Sequence, residues 1–167
     1  FAASCKFLQV SLAQGRKSVR LNSGVRCQMN YWGDLEGIDA LWMAVDQSEH
    51  VAILTTGGQG PFPLSSLATI DKLERLIFDL PLSSGAELAG SMWEGSLAFA
   101  KRGLFAYDWS DVHRTTATEI HGYELEAKPL EPIKLAQLPE RLRIAAASTK
   151  IDVVFGAAIL PRSLLGT

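Results

Sequence analysis

Asp39-Ala40-Leu41-Trp42-Met43-Ala44-Val45-Asp46 and His50-Val51-Ala52-Ile53-Leu54-Thr55-Thr56 are two apolar runs of strand length, separated only by the polar Gln47-Ser48-Glu49. Apolar, β-branched runs joined by so short a link read as a β-hairpin. Neither run alternates apolar with polar residues; both are apolar almost throughout, as strands covered on both faces are. The hairpin is therefore expected near the centre of a sheet. Gly57-Gly58-Gln59-Gly60-Pro61-Phe62-Pro63 then stops the second strand, because proline donates nothing to a ladder and glycine weakens one.

Further along the chain, Ile70 to Phe78 reads as a helix, with Leu73, Leu76 and Ile77 on one face and Pro81 closing the segment. Ser91-Met92-Trp93-Glu94 is a capping-box pattern. The helix it opens is expected to reach Arg102, to stop on Gly103, and to carry Trp93, Leu97 and Ala100 on its apolar face. Leu104 to Tyr107 is a short strand. Ile120 to Ala127 is another, in which Tyr123, Leu125 and Ala127 alternate with Glu124 and Glu126, the mark of a sheet with one wet face. Pro139 suits the first turn of a last helix that ends near Ala147. Ile151 to Phe155 is the final strand, with Ala157 to Leu160 as its continuation. Strands in pairs with short links predict an α+β fold, a mainly antiparallel sheet of about five strands with three helices packed on it.

The chain has 167 residues, 47% of them hydrophobic and 20% charged, with a net charge of -2. That composition supports a packed core. The charge balance lacks the basic excess of a nucleic-acid binder. No run reaches the ~18 apolar residues that a bilayer span requires. The average hides a split at Met29. Residues 1–28 hold five basic groups, no acidic group and both cysteines, Cys5 and Cys27. Residues 29–167 hold eleven basic and eighteen acidic groups, a net of -7. The head is expected to be a disordered or spurious basic extension, with an Arg- and Ser-rich presequence as the competing reading. Residues 29–167 are expected to form a single acidic α+β domain.

The densest chemistry lies in Tyr107-Asp108-Trp109-Ser110-Asp111-Val112-His113-Arg114-Thr115-Thr116, between two predicted strands, with His121 at the start of the second. Tyr, Trp and Arg dominate binding hot spots, so Tyr107, Asp108, Trp109, Asp111, His113 and Arg114 form a candidate partner-binding loop with Trp109 as its anchor. Its bland counterpart is a turn in which Trp109 packs over the sheet and the charges are solvated. Asp108, Asp111, His113 and His121 also offer a metal set, or a base with its orienting acid. Their spacing matches no closed metal motif, and no cofactor is called for. The glycine loop lacks the Gly-Lys-Ser/Thr ending of a P-loop and the full Gly-x-Gly-x-x-Gly. It reads as a structural turn using positive φ, whose backbone N–H groups are still available to a partner's carboxylate. The domain has no Gly-x-Ser-x-Gly elbow and no cysteine nucleophile.

The segment from Met29 to Pro63 resembles the opening of small bacterial proteins of no established activity. Gly103-Leu104-Phe105-Ala106-Tyr107-Asp108-Trp109-Ser110-Asp111-Val112-His113-Arg114, continuing to Tyr123-Glu124-Leu125 and the Pro129/Pro132 pair, resembles their second half. In size, charge and fold class, though not in motif, the domain is similar to bacterial toxin-immunity proteins such as the SUKH group. The analogy implies a cytoplasmic bacterial protein acting by protein–protein contact as a toxin-immunity-type inhibitor; the net of -7 points to a basic protein partner, and charge and apolar-run length to no nucleic acid and no membrane. The rival reading is a small hydrolase or metal-dependent enzyme using Asp108, Asp111, His113 and His121. A third is a homo-oligomer with the aromatic loop at its contact.

Overall fold

The computed structural model describes residues 32–34, 37–66, 70–90, 94–109 and 120–165; the basic head and the stretch carrying Asp111, His113 and Arg114 lie outside the described residues. The predicted hairpin is present: β2 (Leu41–Val45) and β3 (Val51–Thr55) pair antiparallel, with Leu41 opposite Thr55 and Val45 opposite Val51. Strand geometry sends successive side chains to opposite faces. Trp42, Ala44, Ala52 and Leu54 enter one core, while Met43, Val51 and Ile53 enter another. Both faces are covered, as the unbroken apolar runs require.

The turn between them is organised by Asp46, whose side chain is wholly buried. Its Oδ1 accepts the backbone N–H groups of Ser48 and His50, each at 2.8 Å, and its Oδ2 accepts the N–H of Phe155 at 2.8 Å. An Asx-type turn of this kind suits the short Gln47-Ser48-Glu49 link, and Glu49 takes the left-handed conformation that closes it (φ 62°).

The sheet is mainly antiparallel, as expected, with one parallel pairing of strands. Its strands run β2-β3-β6-β7-β5, with β6 (Phe105–Asp108), β7 (Gly122–Pro129) and the edge strand β5 (Ala86–Leu88); β8 (Ile159–Pro161) pairs with the other half of β7. β3 and β6 are parallel, because the intervening helices return the chain to the same end of the sheet. The hairpin therefore lies at one side of the sheet, not its centre. Its outer edge is closed by coil: Val45 N–H donates to Thr149 O, Ile151 N–H to Val45 O and Gln47 N–H to Val153 O, each at 3.0 Å. The predicted strand Ile151–Phe155 is thus a strap, bent so that the Phe155 N–H reaches Asp46. Pro61–Pro63, expected only to end β3, forms a short strand, β4, antiparallel to β1 (Trp32–Asp34) in a separate ladder.

The three α-helices among the described residues pack on one face of the sheet. In α1 (Ile70–Phe78), Leu73 and Ile77 are buried with Leu76 packed beside them, as their spacing predicts. The described part of the next helix, α2 (Glu94–Ala100), buries Ser96, Phe99 and Ala100 and leaves Leu97 half-buried, so its inner face is centred on Phe99. Gly103 stops it at φ 83°. In α3 (Glu140–Ala147), Leu142, Ala145 and Ala146 face inward.

β7 departs from simple alternation. Ala106 faces Ala127 while Tyr107 faces Leu125, so Glu126 is the extra residue of a β-bulge. Tyr123 and Leu125 enter the aromatic core, but Ala127 enters the helix-side core. The expected wet face is lost as well, since Glu126 is only 4% exposed.

Asp46→Ala strips three backbone donors of a buried charged acceptor, and a loss of about 3–5 kcal/mol is expected from urea unfolding. Gly60→Ala is expected to lower stability by about 1–3 kcal/mol in the same assay, as overpacking does. A Cβ there would lie 2.8 Å from the Tyr123 hydroxyl and 2.9 Å from Trp109 Cβ.

Candidate functional site

β6 runs Phe105-Ala106-Tyr107-Asp108 and leads straight into Trp109, so period two puts Phe105, Tyr107 and Trp109 on one face. That face is the aromatic core. Tyr107 and Trp109 are 2% and 3% exposed, and neither is the surface anchor expected of a recognition loop. Trp109 stands edge-on to Tyr123 (centroids 5.2 Å apart, 74° between planes), and Tyr123 stands edge-on to Trp42 (5.7 Å, 77°). The Tyr123 hydroxyl accepts from Trp42 Nε1 at 3.1 Å and donates to Pro61 O at 2.8 Å. Edge-to-face packing, with the Trp42 N–H and the Tyr123 hydroxyl both hydrogen-bonded, suits buried aromatics. The plain packing role weighed for Trp109 is the one it fills, and Phe105-x-Tyr107-x-Trp109 was the signal for it.

Tyr107 holds the strap from below. Its hydroxyl accepts the Gly156 N–H at 2.9 Å and donates to Ala157 O at 3.0 Å. Burial pushes its phenol up to about 12; the Gly156 hydrogen bond opposes that shift and the Asp46 charge adds to it.

The chemistry that reaches the surface lies on the opposite face, at the carboxyl ends of β3 and β6. Thr55, Asp108 and Glu124 lie in one row across β3, β6 and β7. Thr55 is buried, and the two acids are half-buried. The Thr55 hydroxyl donates to Asp108 Oδ1 at 2.5 Å. Asp108 and Glu124 stand directly opposite each other across the β6–β7 ladder. His121 stands exposed just before β7 in the left-handed region (φ 51°). The alternation of β7 places Glu124 on the expected wet face; its register with Asp108 needs the fold.

The adjacent glycine loop is a structural turn, with Gly57 at φ 54° and Gly58 at φ 80°. Its amides are committed within the protein, which corrects the expectation of N–H groups available to a partner. Gly57 N–H donates to Asp39 Oδ1, Gly58 N–H to the Thr56 hydroxyl, and those of Gln59 and Gly60 to Thr56 O. Among the described residues no three of His, Cys, Asp or Glu gather closely enough to hold a metal ion. Comparison of the chain with protein-family models, curated proteins and solved structures returns no match.

Ionising Tyr107 charges a buried group. An acid held protonated by the fold contributes stability that is fully present below its unfolded value near 10 and is lost as pH rises from there toward 12. Absorbance titration is expected to show a late phenol that Tyr107→Phe removes, and the variant's stability is expected to decline less steeply over that window.

Proposed function

We propose that the protein is a binding protein acting by protein–protein contact, a toxin-immunity-type inhibitor of a basic partner in the bacterial cytoplasm. The observation that carries this reading is the Asp108–Glu124 pair, two half-buried carboxylates held side by side at the end of the sheet. A lysine or arginine presented by a partner would meet two acceptors of opposite charge there. Arginine suits the pair best, since its fork matches carboxylates in geometry as well as charge. The net charge of -7 over residues 29–167 steers a basic partner toward this surface.

The proposed contact set is revised accordingly. Asp108 keeps its place and Glu124 joins it. Asp111, His113 and Arg114 stay as candidates by their place in the same connection between β6 and β7. Tyr107 and Trp109 leave the set and become the rigid floor beneath it. Among the described residues no helix is long and apolar enough to cross a membrane.

The test uses the full chain immobilised against bacterial lysate, beside the double variant Asp108→Asn, Glu124→Gln. The expected result is stoichiometric capture of one basic protein, with affinity falling as salt rises and weakened about 10- to 100-fold in the double variant. Capture indifferent to both salt and the two substitutions overturns the reading. Calorimetric binding of zinc or manganese at Asp108 and Glu124, with no protein captured, transfers the site to the metal-dependent enzyme.

A further inference from the structure

The strap that closes the edge of β2 is held at its far end by Asp46, and one histidine faces the same carboxylate. His50 Nδ1 lies 3.5 Å from Asp46 Oδ2, the oxygen that accepts the Phe155 N–H. That ring nitrogen is buried and has no hydrogen-bond partner, although the side chain as a whole is 22% exposed. The ring is confined, lying tilted against Phe105 with centroids 6.0 Å apart, while Phe105 itself packs on Phe155 at 5.9 Å. A lone pair at Nδ1 would sit 3.5 Å from a carboxylate oxygen and be repelled by it, so the tautomer with its proton on Nδ1 is favoured. The other ring nitrogen then takes up the second proton.

We propose that His50 and Asp46 form a proton-operated fastener for the strap of residues 149–157. Protonation of His50 places a full positive charge against the buried carboxylate. It draws Nδ1–H into a charge-assisted hydrogen bond and locks the oxygen on which the Phe155 amide hangs. Deprotonation withdraws the charge and leaves the strap on its neutral hydrogen bonds. The strap covers Phe105 and Tyr107 through Phe155 and tethers the Tyr107 hydroxyl through Gly156 and Ala157. Loosening it therefore uncovers the aromatic core beneath the end of β6.

The charged and titratable groups around His50 pull in both directions. Asp46 favours the proton, and so does Glu49, the adjacent acid in the turn. Lys134 opposes it: its backbone is bridged to that of His50, and its ammonium donates to Ser48 O at 2.6 Å. Tyr107, which faces Asp46 from β6, is neutral throughout the imidazole range. Asp152 is engaged by the Gln47 amide on the strap's outer side, and Lys150 is bridged to Val45 and exposed. Asp46 is the nearest charge and the buried one, where interactions are screened least. The fastened state holds a proton that the released state does not. The strap is therefore tightest below the imidazole range and loosens as pH rises through it.

Amide hydrogen exchange of the full chain tests this, with Phe155 and Gly156 as reporters and rates corrected for intrinsic pH dependence. His50→Gln is the comparison, since it keeps a donor but does not titrate, while His113 and His121 are common to both proteins. In the wild type, protection at these amides is expected to rise roughly 3- to 10-fold from pH 7.5 to 5.5, as gain of one charge-assisted bond implies. In His50→Gln the ratio is expected to stay near one. Equal ratios in the two proteins, or wild-type protection that falls on acidification, overturn the proposal. Imidazole NMR titration in Asp46→Asn gives a second reading. If the His50 titration is unchanged from wild type in that folded variant, the coupling is absent and the proposal fails.

Discussion

A buried aspartate holds this fold together at the point where its two most distant parts meet. Asp46 closes the turn of the β2–β3 hairpin through Ser48 and His50, and it also receives the Phe155 amide from more than one hundred residues away. A carboxylate without solvent exposure is tolerable only when its oxygens are filled by donors, and here backbone amides fill them. One requirement thus fixes both the turn and the strap. The strap in turn covers the exposed side of β2, which would otherwise be an unpaired edge of apolar strand. Phe155, carried in by that strap, completes the aromatic layer on Phe105 and Tyr107.

The second constraint is the bulge at Glu126. A single extra residue in β7 lets one strand serve two cores, with Tyr123 and Leu125 on the aromatic side and Ala127 on the helix side. Strict alternation would have kept all three together. The bulge also sets Asp108 opposite Glu124 with a rigid aromatic floor on the other side of the strands. The chemistry of the site and the rigidity of the core are thus consequences of the same register.

Much of this was legible in the residues themselves. The hairpin, α1, α3 and the stop at Gly103 follow from apolar period, proline and glycine placement, and each of these is local information. The site was half legible. Asp108, expected in the loop after Leu104–Tyr107, is the last residue of β6, and tryptophan beside charges resembles a binding loop, which suggests a surface place for Trp109. The period-two series Phe105, Tyr107, Trp109 carried the opposite message, and burial followed it. The pairing of Asp46 with His50 is not legible locally, since an acid and a histidine bracketing a turn look like ordinary punctuation.

The sequence by itself determined which segments are apolar enough to be buried and with what period, because side-chain spacing is a property of the local backbone. It therefore determined the α+β class, the hairpin and the helices. Only the tertiary structure decided the parallel pairing of β3 with β6, the bulge at Glu126, the bending of 151–155 into a strap, and the meeting of Asp108 with Glu124. Each of these depends on contacts between residues far apart in the chain. Their energies are set by which partner arrives at a given edge or buried charge, and no local pattern records that.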